Sequence, residues 1–141
     1  MTTNKNIVIN YLQAVWEDRD LSAIDNFFAK DAVIHSPLST VQGQETMKDI
    51  MEKWQAAFPE LSILWEDFIA EGDKVVCRWK ACGTYIGGFF NTSPSHKEVV
   101  FSGVMTYRLD NGKIVEYWNL VDMHSILTQL GEFSSMSEAL E

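Results

Sequence analysis

At Pro59 the chain changes its hydrophobic period, and that switch limits the folds open to it. Before it, apolar residues recur at helical spacing. Val8, Tyr11, Leu12, Val15 and Trp16 mark a first helix over residues 5–17, and Leu21, Ile24, Phe27 and Phe28 a short second one. Met47, Ile50, Met51, Trp54 and Phe58 then form the stripe of a third. Beyond Pro59 apolar and polar residues alternate, the period of a half-buried strand. This predicts strands over Leu61–Ala70, Lys74–Tyr85 and Glu98–Leu109, and a final strand after Gly112. Glu71-Gly72-Asp73 and Asp110-Asn111-Gly112 supply hairpin turns. Helices first and hairpin-linked strands second give α+β segregation rather than βαβ alternation. A strongly twisted antiparallel sheet can curl around the helix layer and leave a pocket between them.

Punctuation fills in the rest. Phe28 to Pro37 reads as a turn and a brief strand ended by proline. Leu38–Gln42 reads as a loop. Gly43 leads into the third helix, which Pro59 stops. Met123–Leu130 is a closing helix ending at Gly131. Residues 1–131 make one domain, and the polar, acidic tail 132–141 is expected to be loosely held.

Composition narrows the partners. Eleven Lys and Arg against twenty Asp and Glu give a net charge of −9, with the basic residues scattered singly. Nucleic-acid binding needs a clustered positive patch, and acidity disfavours anionic membranes. No apolar run approaches a membrane span, and Ile7-Val8-Ile9 is too short for a signal peptide core. Cys77 and Cys82, five apart on one predicted strand, lie about 16 Å from each other on opposite faces and cannot bridge. Free thiols suggest a cytoplasmic protein. Small molecules and other protein chains remain as partners.

In the final strand, Ile114, Glu116, Trp118, Leu120 and Asp122 alternate and are expected on one face. Two carboxylates, a tryptophan and two aliphatics suit the wall of an apolar cavity holding a few polar groups. An edge strand with a carboxylate at its end is the other reading.

Taken in order, several segments form a pattern. They are Phe28-x-x-Asp31-Ala32-Val33-x-His35-x-Pro37, Ala57-Phe58-Pro59, Glu71-Gly72-Asp73-x-Val75 with Arg78-Trp79, and Gly83-Thr84 with Gly87 and Phe90. Phe101-x-Gly103, Gly112-Lys113-Ile114-Val115-Glu116-x-Trp118-x-x-x-Asp122 and Gln129-Leu130-Gly131 complete it. The chain thereby resembles the SnoaL-like polyketide cyclases of the nuclear transport factor 2-like superfamily, from about Val8 to Gly131. The resemblance implies a cone-shaped α+β barrel with a deep apolar pocket, in a homodimer or larger homo-oligomer. It also implies ring closure by intramolecular aldol condensation, without metal or organic cofactor, through an aspartate at the end of the last strand, where Asp122 stands. The chain departs from the family at Tyr85, where many relatives carry histidine, and at Pro94-Ser95-His96, in place of Pro-Thr-Gly. Hydration, isomerisation or hydroxylation in the same pocket is a second enzymatic reading, and the fold also hosts members that only bind ligands or only assemble.

Asp122 is the candidate acid/base, since desolvation beside Trp118 and Leu120 would disfavour its charged form. Capping of the helix that begins at Met123 is its structural alternative. His35 could donate to a substrate carbonyl or enolate oxygen, or be a satisfied structural histidine. Arg78 and Glu116 are expected to pair if both turn inward, and could orient a substrate oxygen. Trp54, Trp118, Phe58, Phe68, Tyr85 and Met105 are candidate pocket lining or ordinary core. Ile86-Gly87-Gly88-Phe89-Phe90-Asn91 could form a lip over the pocket or a subunit contact. His35, His96 and His124 lack metal-site spacing, and no nucleophile elbow, phosphate loop or dinucleotide fingerprint occurs.

Overall fold

Residues 3–37, 39–88 and 96–131 are described by the structure, a computed structural model. Helix α1 (Asn4–Leu12) opens with Thr3, whose hydroxyl accepts from the Asn6 N–H at 3.2 Å. It runs into a single π-helical turn, Gln13–Glu17, that turns Val15 and Trp16 into the interior. Helix α2 (Ala23–Phe27) is brief and leads directly into β1 (Phe28–His35). Strand β2 (Thr40–Gln42) follows, then α3 (Gln44–Ala57), which buries Met47, Met51, Trp54 and Ala57 along one stripe. The hairpin strands are β3 (Ser62–Glu71), β4 (Lys74–Thr84), β5 (Glu98–Asp110) and β6 (Lys113–Val121). Helix α4 (Met123–Leu130) ends at Gly131, whose left-handed φ of 73° suits glycine.

The six strands form one sheet in the order β2-β1-β6-β5-β4-β3. The architecture is the α+β segregation read from the sequence, with one correction to the sheet. It is mixed rather than antiparallel, because β1 runs parallel to β6, with His35 beside Trp118. A second correction concerns residues 38–42. Thr40–Gln42 is a strand, pairing antiparallel with Val33, Ile34 and His35 and so satisfying the outer edge of β1. Within 86–91, Phe89, Phe90 and Asn91 lie outside the described residues, as do Pro94, Ser95 and the tail 132–141.

The register decides which side chains face inward. Arg108 pairs with Glu116, yet the next residue, Leu109, pairs with Ile114, so Val115 is an extra residue in β6. This β-bulge reverses the alternation of the strand. Ile114, Tyr117, Asn119 and Val121 therefore share the inner face, while Glu116, Trp118 and Leu120 share the outer one. Glu66 is a similar extra residue in β3. The inner face packs against α1 and α3 through Cys77, Trp79 and Ala81 of β4 and Phe101, Met105 and Tyr107 of β5. Among the described residues no helix is long and apolar enough to cross a membrane.

Candidate functional site

Between α3, the π-helical turn and the inner face of the sheet lies an apolar cavity. Ile50, Met51 and Trp54 of α3 line one wall, and Trp16 closes a side. Trp79, Phe101, Met105, Tyr117, Asn119 and Val121 form the floor on three adjacent strands. Ser36 and Pro37 stand at the margin, with Leu61 and Ile63. The space open to water centres is about 20 Å³, room for a single water in this state. Aromatic rings pack around it: Phe101 meets Trp79 edge-on at 5.7 Å between centroids and stacks on Trp54 at 6.1 Å.

Among the described residues, two polar atoms in this lining are buried without a hydrogen-bond partner, Trp79 Nε1 and Asn119 Oδ1. The Tyr117 phenol is also buried, which pushes its pKa far above the ordinary value by desolvation and keeps it neutral. The Trp79 ring is seated by Gly103, its partner on β5. A Cβ there would fall 2.5 Å from Cζ2 and 2.9 Å from Cε2 of the indole.

A second polar cluster lies on the outer face. His35 Nε2 is 2.7 Å from Glu116 Oε2, and Arg108 Nε donates to Glu116 Oε1 at 3.1 Å. His35 Nδ1 meets the Thr40 hydroxyl at 3.1 Å, and the ring stacks on Trp118 at 5.1 Å. The Thr40 hydroxyl can donate to or accept from the ring nitrogen that it meets. The Glu116 carboxylate is held below its ordinary range, chiefly by the His35 hydrogen bond and further by Arg108, against the opposing effect of desolvation. Beside this cluster is an open depression of about 530 Å³, bounded by His35, Pro37, Val104, Thr106, Trp118 and Leu120.

These positions sort the residues singled out from sequence. Trp54 and Met105 line the inner cavity, and Phe58 and Tyr85 pack against each other beside it at 5.5 Å. Phe68 sits opposite Cys77 on β3, half-buried and not in the lining. Trp118 and Glu116 face outward, so the expected common wall of Ile114, Glu116, Trp118, Leu120 and Asp122 does not form; the bulge at Val115 is the cause. The expected Arg78–Glu116 pair is also absent. Arg78 is bound to Asp67 on β3, its Nε donating to Oδ2 at 2.7 Å, while Glu116 is taken by His35 and Arg108.

Asp122 is exposed and caps α4, its Oδ1 accepting from the Ser125 N–H at 3.1 Å. Leu120, expected to desolvate it, is 75% exposed. His35 and Asp122 do not meet in one cavity: His35 is level with Trp118, four residues and about 13 Å of strand from Asp122. Each is adjacent in sequence to a residue of the inner lining, Ser36 and Val121 respectively.

Trp16, Trp79, Phe101 and Asn119 were not named as pocket lining from the sequence, although Trp16 marks the first helix and Trp79 and Phe101 belong to the family-like segments. Trp79 was legible, because Val75, Cys77, Trp79 and Ala81 alternate with Lys74, Arg78 and Lys80. Asn119 was not, because its facing depends on the bulge.

Comparison with known proteins bears on this arrangement. The chain is similar over 94% of its length to the candidate hydroxylase AclR from Streptomyces galilaeus, at 30% identity over 87% of that chain and a TM-score of 0.80. It is likewise similar to the candidate polyketide cyclase IdmH from Streptomyces antibioticus, at 26% identity, 92% and 99% coverage and a TM-score of 0.78. A candidate SnoaL-like polyketide cyclase from Jannaschia sp. CCS1 shares the fold at a TM-score of 0.85 and 21% identity, over 94% of this chain and 93% of that one. No match is found among curated proteins. The family model of the SnoaL-like polyketide cyclases matches residues 6–130, and the chain belongs to that family.

Proposed function

We propose that this chain is a cofactor-free enzyme of the cyclase type, acting on a hydrophobic, ketone-bearing small molecule that enters the inner cavity. The observation that carries the reading is the cavity itself, an apolar hollow with a few polar atoms built into its floor. With room for only one water, it admits a substrate when α3 side chains yield, and Met51 and Met105 are the adaptable members of the lining.

In aldol closure a base removes a proton from carbon beside a ketone, and the enolate carbon attacks a second carbonyl carbon of the same molecule. The new C–C bond leaves an alkoxide, which takes a proton back. Methylenes between two ketones are acidic enough for a modest base. Asp122 is assigned that proton transfer in this reading, working from the end of β6 next to Val121, with His35 at the margin through Ser36.

The test is α-proton exchange in D₂O over a panel of aromatic and aliphatic ketones, followed by NMR. Asparagine caps a helix about as well as aspartate, so Asp122→Asn removes the base while sparing α4. Exchange by the wild type that vanishes in this variant supports the assignment; equal exchange in both removes Asp122 from the chemistry.

A second reading, a non-catalytic binding module, is favoured by one observation: among the described residues the inner lining holds no carboxylate or imidazole. It predicts ketone binding without exchange in either protein.

We also propose that the chain acts as a homodimer joined through the outer sheet face. Leu64, Val100 and Leu120 are 63%, 53% and 75% exposed there, an apolar surface that a second copy would cover. The two free thiols suit a reducing, cytoplasmic setting.

A further inference from the structure

We propose that Trp79 and Asn119 clamp one end of the ligand between a hydrogen-bond donor and an acceptor. The ligand class they select carries a ketone oxygen with a hydroxyl on the β-carbon, or the enol form of a β-diketone. The proposal rests on the reading of the inner cavity as the substrate site and deepens it.

Buried polar atoms in folded proteins are almost always paired, and leaving one unpaired costs about 1–3 kcal/mol. Among the described residues three side-chain atoms are in that position: Tyr11 Oη, Trp79 Nε1 and Asn119 Oδ1. Tyr11 lies apart, under Phe27, Phe28 and Tyr107. The other two line the same hollow. Trp79 is only 4% exposed, so bulk water does not satisfy its N–H.

Their chemistry is complementary. An indole N–H only donates, so whatever meets Trp79 must present an oxygen or nitrogen lone pair. The free atom of Asn119 is the carbonyl oxygen, which only accepts, so its partner must bring a proton. A lone ketone answers the first requirement and not the second. A β-hydroxyketone or an enolised β-diketone answers both with adjacent oxygens.

The spacing also fits. Gly103 lets the indole lie across β5, with the Cε2 end that bears Nε1 directly over the glycine. Gly103 pairs with Val121, and Asn119 is two residues further along β6 on the same face. Such diagonal neighbours have Cα atoms about 7–8 Å apart, so the indole seated over Gly103 and the Asn119 side chain reach the same stretch of the hollow. Gly103 is therefore a positioning residue for the clamp.

Three ligands of similar size test the proposal: butylbenzene, benzylacetone and the aldol adduct of benzaldehyde and acetone. They carry no oxygen, one ketone, and a ketone with a β-hydroxyl. Binding is read from ¹H–¹⁵N spectra through the Trp79 indole N–H, assigned by its loss in Trp79→Phe. The wild type should prefer the ketone to the hydrocarbon, and the hydroxyketone to the ketone, by about tenfold at each step. The Trp79 N–H should move downfield with both oxygenated ligands and not with butylbenzene. Trp79→Phe should abolish the first preference, and Asn119→Leu only the second; equal melting curves certify that both variants fold.

Equal affinities for all three ligands in the wild type would overturn the clamp while leaving the cavity as a binding site. The same N–H shift with butylbenzene as with the ketones would mean a bound water only, displaced by any ligand, and would also overturn it. Failure of all three to perturb any cavity resonance would instead remove the reading of the cavity as substrate site, and the clamp with it.

Discussion

His35 and Glu116 face each other across the parallel pair β1–β6, Nε2 to Oε2 at 2.7 Å, with Arg108 of β5 closing on the other carboxylate oxygen. Glu116 thus ties three strands together on the outer face, with its side chain 21% exposed. Its folded pKa is lowered, so its contribution to stability is present above the ordinary carboxylate value of 4.5 and is lost as pH falls through the lower folded value. Glu116→Gln should therefore melt below the wild type at about pH 6, and the gap should close toward about pH 3. Thermal melts across that range check it; a gap that stays constant with pH would exclude the ionised carboxylate as its source.

Asp122 holds the start of α4 through a single side-chain bond to Ser125. Asp122→Ala should lower stability by about 1 kcal/mol, and Asp122→Asn by clearly less. Urea unfolding separates the two. Comparable losses in both would mean that the negative charge, rather than the capping oxygen, is what matters at this helix end.

Gly103 has no room for a methyl group, which would meet the Trp79 indole on one side and the Leu120 carbonyl oxygen on the other. The carbonyl belongs to the sheet and cannot step aside. Gly103→Ala should cost about 2–3 kcal/mol by chemical denaturation. Gly83→Ala is the control, because its nearest neighbour is the Leu61 Cδ1 atom at 3.0 Å, the end of a flexible side chain. It should cost less.

Leu120 is the most exposed apolar residue of the proposed subunit contact. Leu120→Lys should convert a dimer to a monomer in sedimentation velocity, with little change in the melt of the protomer. An unchanged mass would place the contact on another surface.

Much of this fold was legible because local signals agreed with one another. Pro59 ends α3, Asp110-Asn111-Gly112 makes its turn, and Met123–Leu130 forms the closing helix, each fixed by residues a few positions apart. What escaped depends on partners distant in sequence. Thr40–Gln42 has no strand signature of its own and is a strand because β1 offers it an edge. The parallel contact of β1 with β6 joins residues some eighty positions apart, as the His35–Glu116 bond does. The inner wall was misread for one reason, Val115, which obeys no local rule that would mark it as an extra residue. Trp54 and Met105 were found because their stripes are unbroken, and Asn119 was missed because its stripe is not.

Val115 also gives β6 a residue that it can lose without a change of faces. Substitutions on either side of it are independent events, each judged by the face it lands on. Loss of Val115 would leave Leu109–Ile114 and Arg108–Glu116 as consecutive pairs of a regular ladder. Trp118 and Leu120 would stay on the outer face, and Tyr117, Asn119 and Val121 would stay toward the helices. The strand keeps the identity of its inside and its outside in its pairing with β5.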